Sequence, residues 1–138
     1  MNMNSKPLIL IIDDDPALLM GVSATIKKYG FQVVSAEDGN DGLAKAKEIK
    51  PDLILSDVMM PPPDGLELRR IMSQDPQLAS IPFIFLTARS GVEDKVSAIM
   101  DGADDYITKP FVVYELIARI SAVLRRVKIA EENGREQA

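Results

Sequence analysis

Asp57 closes an apolar run, Leu53-Ile54-Leu55-Ser56, and a similar run from Leu8 to Ile12 closes in Asp13-Asp14-Asp15. Short, wholly apolar runs read as buried parallel strands, whose carboxyl ends share one edge of a sheet. Four carboxylates would then meet in one crevice, where open α/β sheets bind ligands. Two unit charges about 4 Å apart repel by roughly 4 kcal/mol at an effective dielectric of 20. Stability gives no reason to keep such a cluster; it suits a divalent cation, with one carboxylate left to act as a nucleophile. Thr87 closes a further apolar run, and Lys109 follows a short one. Acid pair, nucleophilic acid, hydroxyl and ammonium are the parts of a phosphoryl-transfer site, where catalysis is mostly positioning and charge neutralisation. A carboxylate can accept a phosphoryl group as an acyl phosphate. A hard cation such as Mg²⁺ is held by one or two carboxylates with phosphoryl oxygen and water. The hydroxyl and the ammonium can bond the remaining phosphoryl oxygens.

The elements that must position these groups alternate along the chain. Leu8 to Ile12 is the first strand, and Pro16 opens a helix at its first turn. Leu18, Leu19, Val22, Ile26 and Tyr29 keep helical spacing, and Gly30 suits its C-cap. Gln32 to Ala36 is a shorter, mixed strand expected at an edge, followed by a helix from Asn40 to Ile49 that Pro51 stops. The third strand spans Leu53 to Asp57, and the three prolines of Met60-Pro61-Pro62-Pro63-Asp64-Gly65 forbid regular helix there. Then come a helix from Gly65 to Met72, a strand from Ile81 to Thr87, a helix from Glu93 to Met100 capped by Gly102, a short strand Tyr106-Ile107-Thr108, and a last helix from Phe111 to about Val127. Five βα units with short loops imply an α/β, doubly wound, five-stranded parallel sheet with helices on both faces and the flavodoxin-like order 2-1-3-4-5. The topological switch of that order lies between the strands that end in Asp13 and Asp57.

Composition narrows the chemistry. A chain of 138 residues, 46% hydrophobic and 27% charged, suits one domain with one core. The boundaries expected are a disordered tail over 1–7, the domain over 8–127, and a C-terminal helix extension, linker or tail over 128–138. No stretch reads as a signal peptide or a membrane span, and a reducing, cytoplasmic setting fits the lack of Cys. Thiolate metal sites and Cys nucleophiles are excluded. With no His either, Ser-His hydrolysis and His-based zinc sites are excluded. A net charge of −5 argues against direct nucleic-acid binding.

With these residues in place, the chain resembles the receiver domain of the bacterial two-component response-regulator family. The matching stretches are Leu10-Ile11-Ile12-Asp13-Asp14-Asp15, Asp57-Val58-Met59-Met60-Pro61, Asp64-Gly65, Leu86-Thr87-Ala88-Arg89 and Gly102 through Phe111. The resemblance implies that Asp57 is the phosphoacceptor and that Asp13, Asp14, Asp57 and the Met59 carbonyl hold Mg²⁺. It makes Thr87 the switch hydroxyl, Lys109 the partner of Asp57 or its phosphoryl oxygens, and Tyr106 the switch aromatic. It also implies a cis Lys109-Pro110 bond. The donor would be a phosphohistidine on a sensor histidine kinase or phosphotransfer protein, since this chain has no His. The role implied is a signalling phosphoacceptor with self-catalysed phosphotransfer and autodephosphorylation, not an enzyme. Output would pass to an effector domain or a downstream protein. Pro62-Pro63 departs from the Gly-Met that many family members carry before Asp64.

Plainer roles suit several residues. Asp15 is expected to cap the first helix rather than join the metal site, and Asp64 to cap the third. Arg69-Arg70 and Arg125-Arg126 read as solvated helix faces, and Met59-Met60 as core filling. A phosphatase of the haloacid-dehalogenase kind is the rival enzyme, but Ala17 stands where its motif needs Thr or Val. A pseudo-receiver, a pure interaction module, would lack part of the acid pair, acceptor, Thr or Lys set. Output is expected on the face of the fourth helix, fifth strand and fifth helix. Lys95, Asp101, Asp104, Asp105, Glu115, Arg119 and Arg126 supply both signs of charge there, and Ile99 and Ala118 a small apolar centre. That pattern resembles the face on which the winged-helix subfamily of receivers dimerises when phosphorylated, although Ser121 stands where a base is frequent.

Overall fold

The computed structural model describes residues 6–88 and 91–137, the last three of these by backbone alone. The elements in chain order are β1 (Leu8–Ile12), α1 (Pro16–Lys28), β2 (Gln32–Ala36), α2 (Gly39–Ile49), β3 (Leu53–Ser56), α3 (Gly65–Ser73), β4 (Phe83–Thr87), α4 (Val92–Met100), β5 (Asp105–Thr108) and α5 (Val113–Gln137). The sheet order is β2-β1-β3-β4-β5, and every pairing is parallel. The expected fold and strand order hold, with β2 at an edge.

Strand alternation explains the two layers. Ile9, Ile11, Leu53, Leu55, Ile84, Leu86 and Ile107 point to one face, where Leu19, Val22 and Ile26 of α1 and Leu116, Ile120 and Val123 of α5 cover them. Leu10, Ile12, Ile54, Phe83, Phe85 and Tyr106 point to the other, under Ala46 of α2, Leu68 and Met72 of α3 and Ala98 of α4. Burial on both faces is why the central strands carry no polar alternation.

Several boundaries differ from expectation. Pro82 has no N–H to give a ladder, so β4 begins at Phe83; the Pro82 carbonyl still accepts from Ile54 N at 2.9 Å. Gly30 lies one residue past the α1 C-cap Tyr29, with φ +95, and Gly102 one past Asp101, with φ +101; both are the left-handed position that ends a helix. Helix α5 starts at Val113 and runs to Gln137, not Val127. Its apolar stripe ends where expected, but the Lys, Ala, Glu, Arg and Gln that follow are strong helix formers and continue it. Of the tail expected over 1–7, residues 1–5 lie outside the described residues; Lys6 and Pro7 carbonyls accept from Gln32. Arg89 likewise lies outside them. The Lys109-Pro110 and Pro62-Pro63 bonds are both cis. Among the described residues, no helix is long and apolar enough to cross a membrane.

Candidate functional site

The site is assembled at the carboxyl ends of β1, β3, β4 and β5 by backbone bonds that continue past the strands. Asp13 N donates to Ala36 O at 3.1 Å, Asp57 N to Ile12 O at 3.0 Å and Lys109 N to Thr87 O at 2.7 Å. Asp13, Asp57 and Thr87 are thereby buried, with exposures of 2%, 8% and 0%, while Asp14 is exposed. One carboxylate oxygen from each of Asp13, Asp14 and Asp57 lies within 4.8 Å of the others. Three hard oxygen donors so placed fit a hard divalent cation. Beside them, Asp14, Val58, Met59, Met60, Pro61 and Asp64 line an open cavity of ≈ 370 Å³.

Lys109 closes the cluster. Its Nζ donates to Asp13 Oδ2 at 2.9 Å and to Asp57 Oδ2 at 3.1 Å. The remaining oxygens are also fixed: Asp13 Oδ1 accepts from Asp15 N and Asp57 Oδ1 from Met59 N, at 2.9 and 3.0 Å. Burial raises the Asp13 carboxyl above its ordinary pKa, and the Asp57 charge adds to this; hydrogen bonds from Lys109 and Asp15 pull the other way without reversing it. Burial pulls Lys109 down, but its bonds to Asp13 and Asp57 outweigh that and hold it above 10.5. A raised lysine contributes stability that is complete below the unfolded value near 10.5 and is lost as pH rises through the folded value. Alkaline melts should therefore show a decline in wild type above that pH that Lys109→Met lacks; parallel profiles would contradict the pairing.

Thr87 pairs in register with Thr108, and Tyr106 with Phe85. The Tyr106 ring is buried 6.2 Å from that of Phe85, on the α4 side of the sheet. The structure thus brings the expected site residues Asp13, Asp14 and Asp57 together, sets Lys109 on Asp13 and Asp57, and leaves Thr87 at the adjacent strand end. Asp15 caps α1, accepting from Ala17 and Leu18 N, and Asp64 closes a capping box with Glu67.

Two expectations fail locally. Met60 fills the core at 8% exposure, but Met59 is 53% exposed, because the chain leaves strand geometry after Ser56. Arg69 and Arg70 are not a free solvated face. Arg69 Nη2 donates to Gly102 O at 3.2 Å and Arg70 Nη2 to Asp101 Oδ2 at 2.8 Å, tying α3 to the end of α4. Gly65 does more than open α3. A Cβ on it would stand 2.8 Å from Val58 Cα and nearer still to the Asp57 carbonyl oxygen, so it lets α3 start against the acceptor's own backbone.

A doubly wound sheet with an acid cluster and a half-buried ammonium at its switch point is the arrangement expected of a signalling receiver domain. The family model for the response regulator receiver domain matches residues 9–121, and the chain belongs to that family. It is 46% identical over 120 residues to the DNA-binding dual master transcriptional regulator RpaA of Synechocystis, covering 87% of this chain and 50% of that one. It is 42% identical over 128 residues to the alkaline phosphatase synthesis transcriptional regulatory protein PhoP of Bacillus subtilis, covering 93% and 52%. The receiver domain of Francisella response regulator 1452 superposes with a TM-score of 0.82 at 33% identity, covering 88% of this chain and 98% of that one. The chain spans about half the length of the curated relatives it matches. It is a receiver of the two-component type, a signalling domain.

Proposed function

We propose that Asp57 accepts a phosphoryl group from the phosphohistidine of a sensor histidine kinase or phosphotransfer protein. The observation that supports this most is the cluster itself: Asp13, Asp14 and Asp57 within 4.8 Å of one another, with Lys109 bridging two of them at the switch point. An Asp57 carboxylate oxygen attacks phosphorus. The phosphorus–nitrogen bond of the donor breaks, and its electron pair leaves on the imidazole, which takes up a proton. Asp13, Asp14, Asp57 and the Met59 carbonyl would hold Mg²⁺, which when bound neutralises phosphoryl charge. Met59 N–H holds Asp57 Oδ1 and so presents the other oxygen side for attack. Lys109, already bonded to Asp57 Oδ2, is placed to follow the phosphoryl oxygens, and Thr87 supplies a hydroxyl from the next strand. Hydrolysis of the acyl phosphate by water returns the carboxylate and ends the signal. Because the site organises the transfer itself, acetyl phosphate should load the protein without a kinase, and chelation of Mg²⁺ should suppress loading. Loading unaffected by chelator would contradict the metal role.

Output is read on α4, β5 and α5 through Thr87 and Tyr106 as a two-state element. In the structure, Arg119 pairs with Asp105 at 2.9 Å and Glu115 at 3.1 Å, and Asp101 with Arg70. These charges are therefore engaged within the chain and would have to exchange partners to pair across a dimer. Ile99 is 55% exposed and Ala118 is exposed, as the apolar centre of such a contact requires. Sedimentation with beryllofluoride should show a dimer that is absent without it. A monomer in both states, at about tens of micromolar, would favour docking to an effector domain or a downstream protein instead.

A further inference from the structure

The loop that carries Met59, residues 57–64, is held at three places. Gly65 N donates to Val58 O at 3.0 Å at its base, and Met60 is buried in the core. The third hold is Pro63 against Gly39, the first residue of α2. Gly39 is buried, and a Cβ on it would stand 2.8 Å from Pro63 Cγ, with the Pro63 carbonyl oxygen closer still. The nearest atoms include backbone, so an alanine cannot be accommodated by turning a side chain aside.

We propose that Gly39 and Pro63 form a steric stop that positions the β3–α3 loop, and with it the Met59 carbonyl, for cation binding at the acidic cluster. This rests on the reading of that cluster as a cation site. Three successive prolines, Pro61 to Pro63, each have φ held near about −65°. A displacement at Pro63 is therefore not absorbed within the run and passes back along it. Asp64 is fixed on the other side by its capping box with Glu67, and the buried Met60 side chain resists movement. The adjustment falls on the peptide between Asp57 and Met60, which also bears the N–H that holds Asp57 Oδ1. Gly39 is accordingly a positioning residue: it touches neither cation nor phosphoryl group and acts through Pro63.

The test is a Mg²⁺ titration by calorimetry, joined to the amide shift of Met59 and to metal-free melts. Gly39→Ala should weaken Mg²⁺ binding about tenfold, as loss of a supporting contact behind a metal ligand does. It should also move the Met59 amide resonance. Pro63→Gly removes Cγ and frees φ, so in that background Gly39→Ala should cost no more than about threefold. Wild-type affinity in Gly39→Ala, or the same tenfold loss when it is added to Pro63→Gly, would overturn the stop. If Gly39→Ala does not fold, Pro62→Gly/Pro63→Gly, which leaves α2 intact, should weaken Mg²⁺ binding and shift the Met59 amide; no change in either would overturn it as well. Absence of Mg²⁺ binding in wild type would instead overturn the cation reading on which the proposal rests.

Discussion

Lys109→Met should lower the metal-free stability by about 3–5 kcal/mol near neutral pH, the usual cost of removing one partner from a buried ion pair. The reason lies in what remains. Asp13 and Asp57 side chains are 3% and 10% exposed, and Lys109 bonds both. Without the ammonium, two desolvated carboxylates face each other with no counter-charge. At the cluster's spacing their repulsion is of the order of 3–4 kcal/mol for an effective dielectric of 20. Against a total stability of about 5–15 kcal/mol, the variant would stand near its unfolding threshold. Two conditions should rescue it. Acidification lets the already raised Asp13 take up a proton, so the deficit should shrink as pH falls. A divalent cation replaces the lost charge and, at one hundred times its Kd, adds about 2.7 kcal/mol by mass action. Urea titrations with chelator and with Mg²⁺ read both effects. A variant within about 0.5 kcal/mol of wild type, the range of an ordinary surface substitution, would show that Lys109 does not neutralise the pair.

Asp57→Asn should abolish phosphoryl loading altogether while leaving the fold intact. The amide has the same shape and keeps an oxygen to accept from Met59 N. It lacks the anionic nucleophile, so no acyl phosphate can form. Lys109 retains Asp13 as a partner, and one charge leaves a crowded cluster, so the metal-free protein should lose no stability. Intact-mass spectra after acetyl phosphate treatment should show one phosphoryl adduct in wild type and none in the variant. An adduct that persists would place the acceptor on another residue.

Much of this arrangement was legible in the sequence because two-sided burial leaves a plain signature. Leu53 to Leu55 and Phe83 to Leu86 carry no polar residue, so they had to be interior strands. Acidic groups at the ends of two such runs had to share a crevice once the order was set. The parts that escaped are those without a local period. The Lys109 bond to Asp13 joins positions 96 residues apart, and only the pairing to Asp57 was expected. Met59 and Met60 diverge, one exposed and one buried, because the strand has already ended. The close approach of Gly39 to Pro63 joins the start of α2 to the β3–α3 loop by tertiary packing alone. Helix α5 outlasts its apolar stripe because residue propensity, not burial, sustains its last turns. Arg69 looked like surface because its carbonyl partner, Gly102, lies in a turn whose position depends on the whole α4–β5 corner.

In the proposed reaction Asp57, not either member of the acid pair, becomes the acyl phosphate. Borohydride reduces an aspartyl phosphate to homoserine, so reduction after acetyl phosphate treatment with Mg²⁺, followed by peptide mass mapping, reads the acceptor directly. Homoserine is expected at position 57 alone, and is expected to be absent when chelator is present during loading. Homoserine at position 13 or 14, or a phosphoryl adduct stable to borohydride, would contradict it.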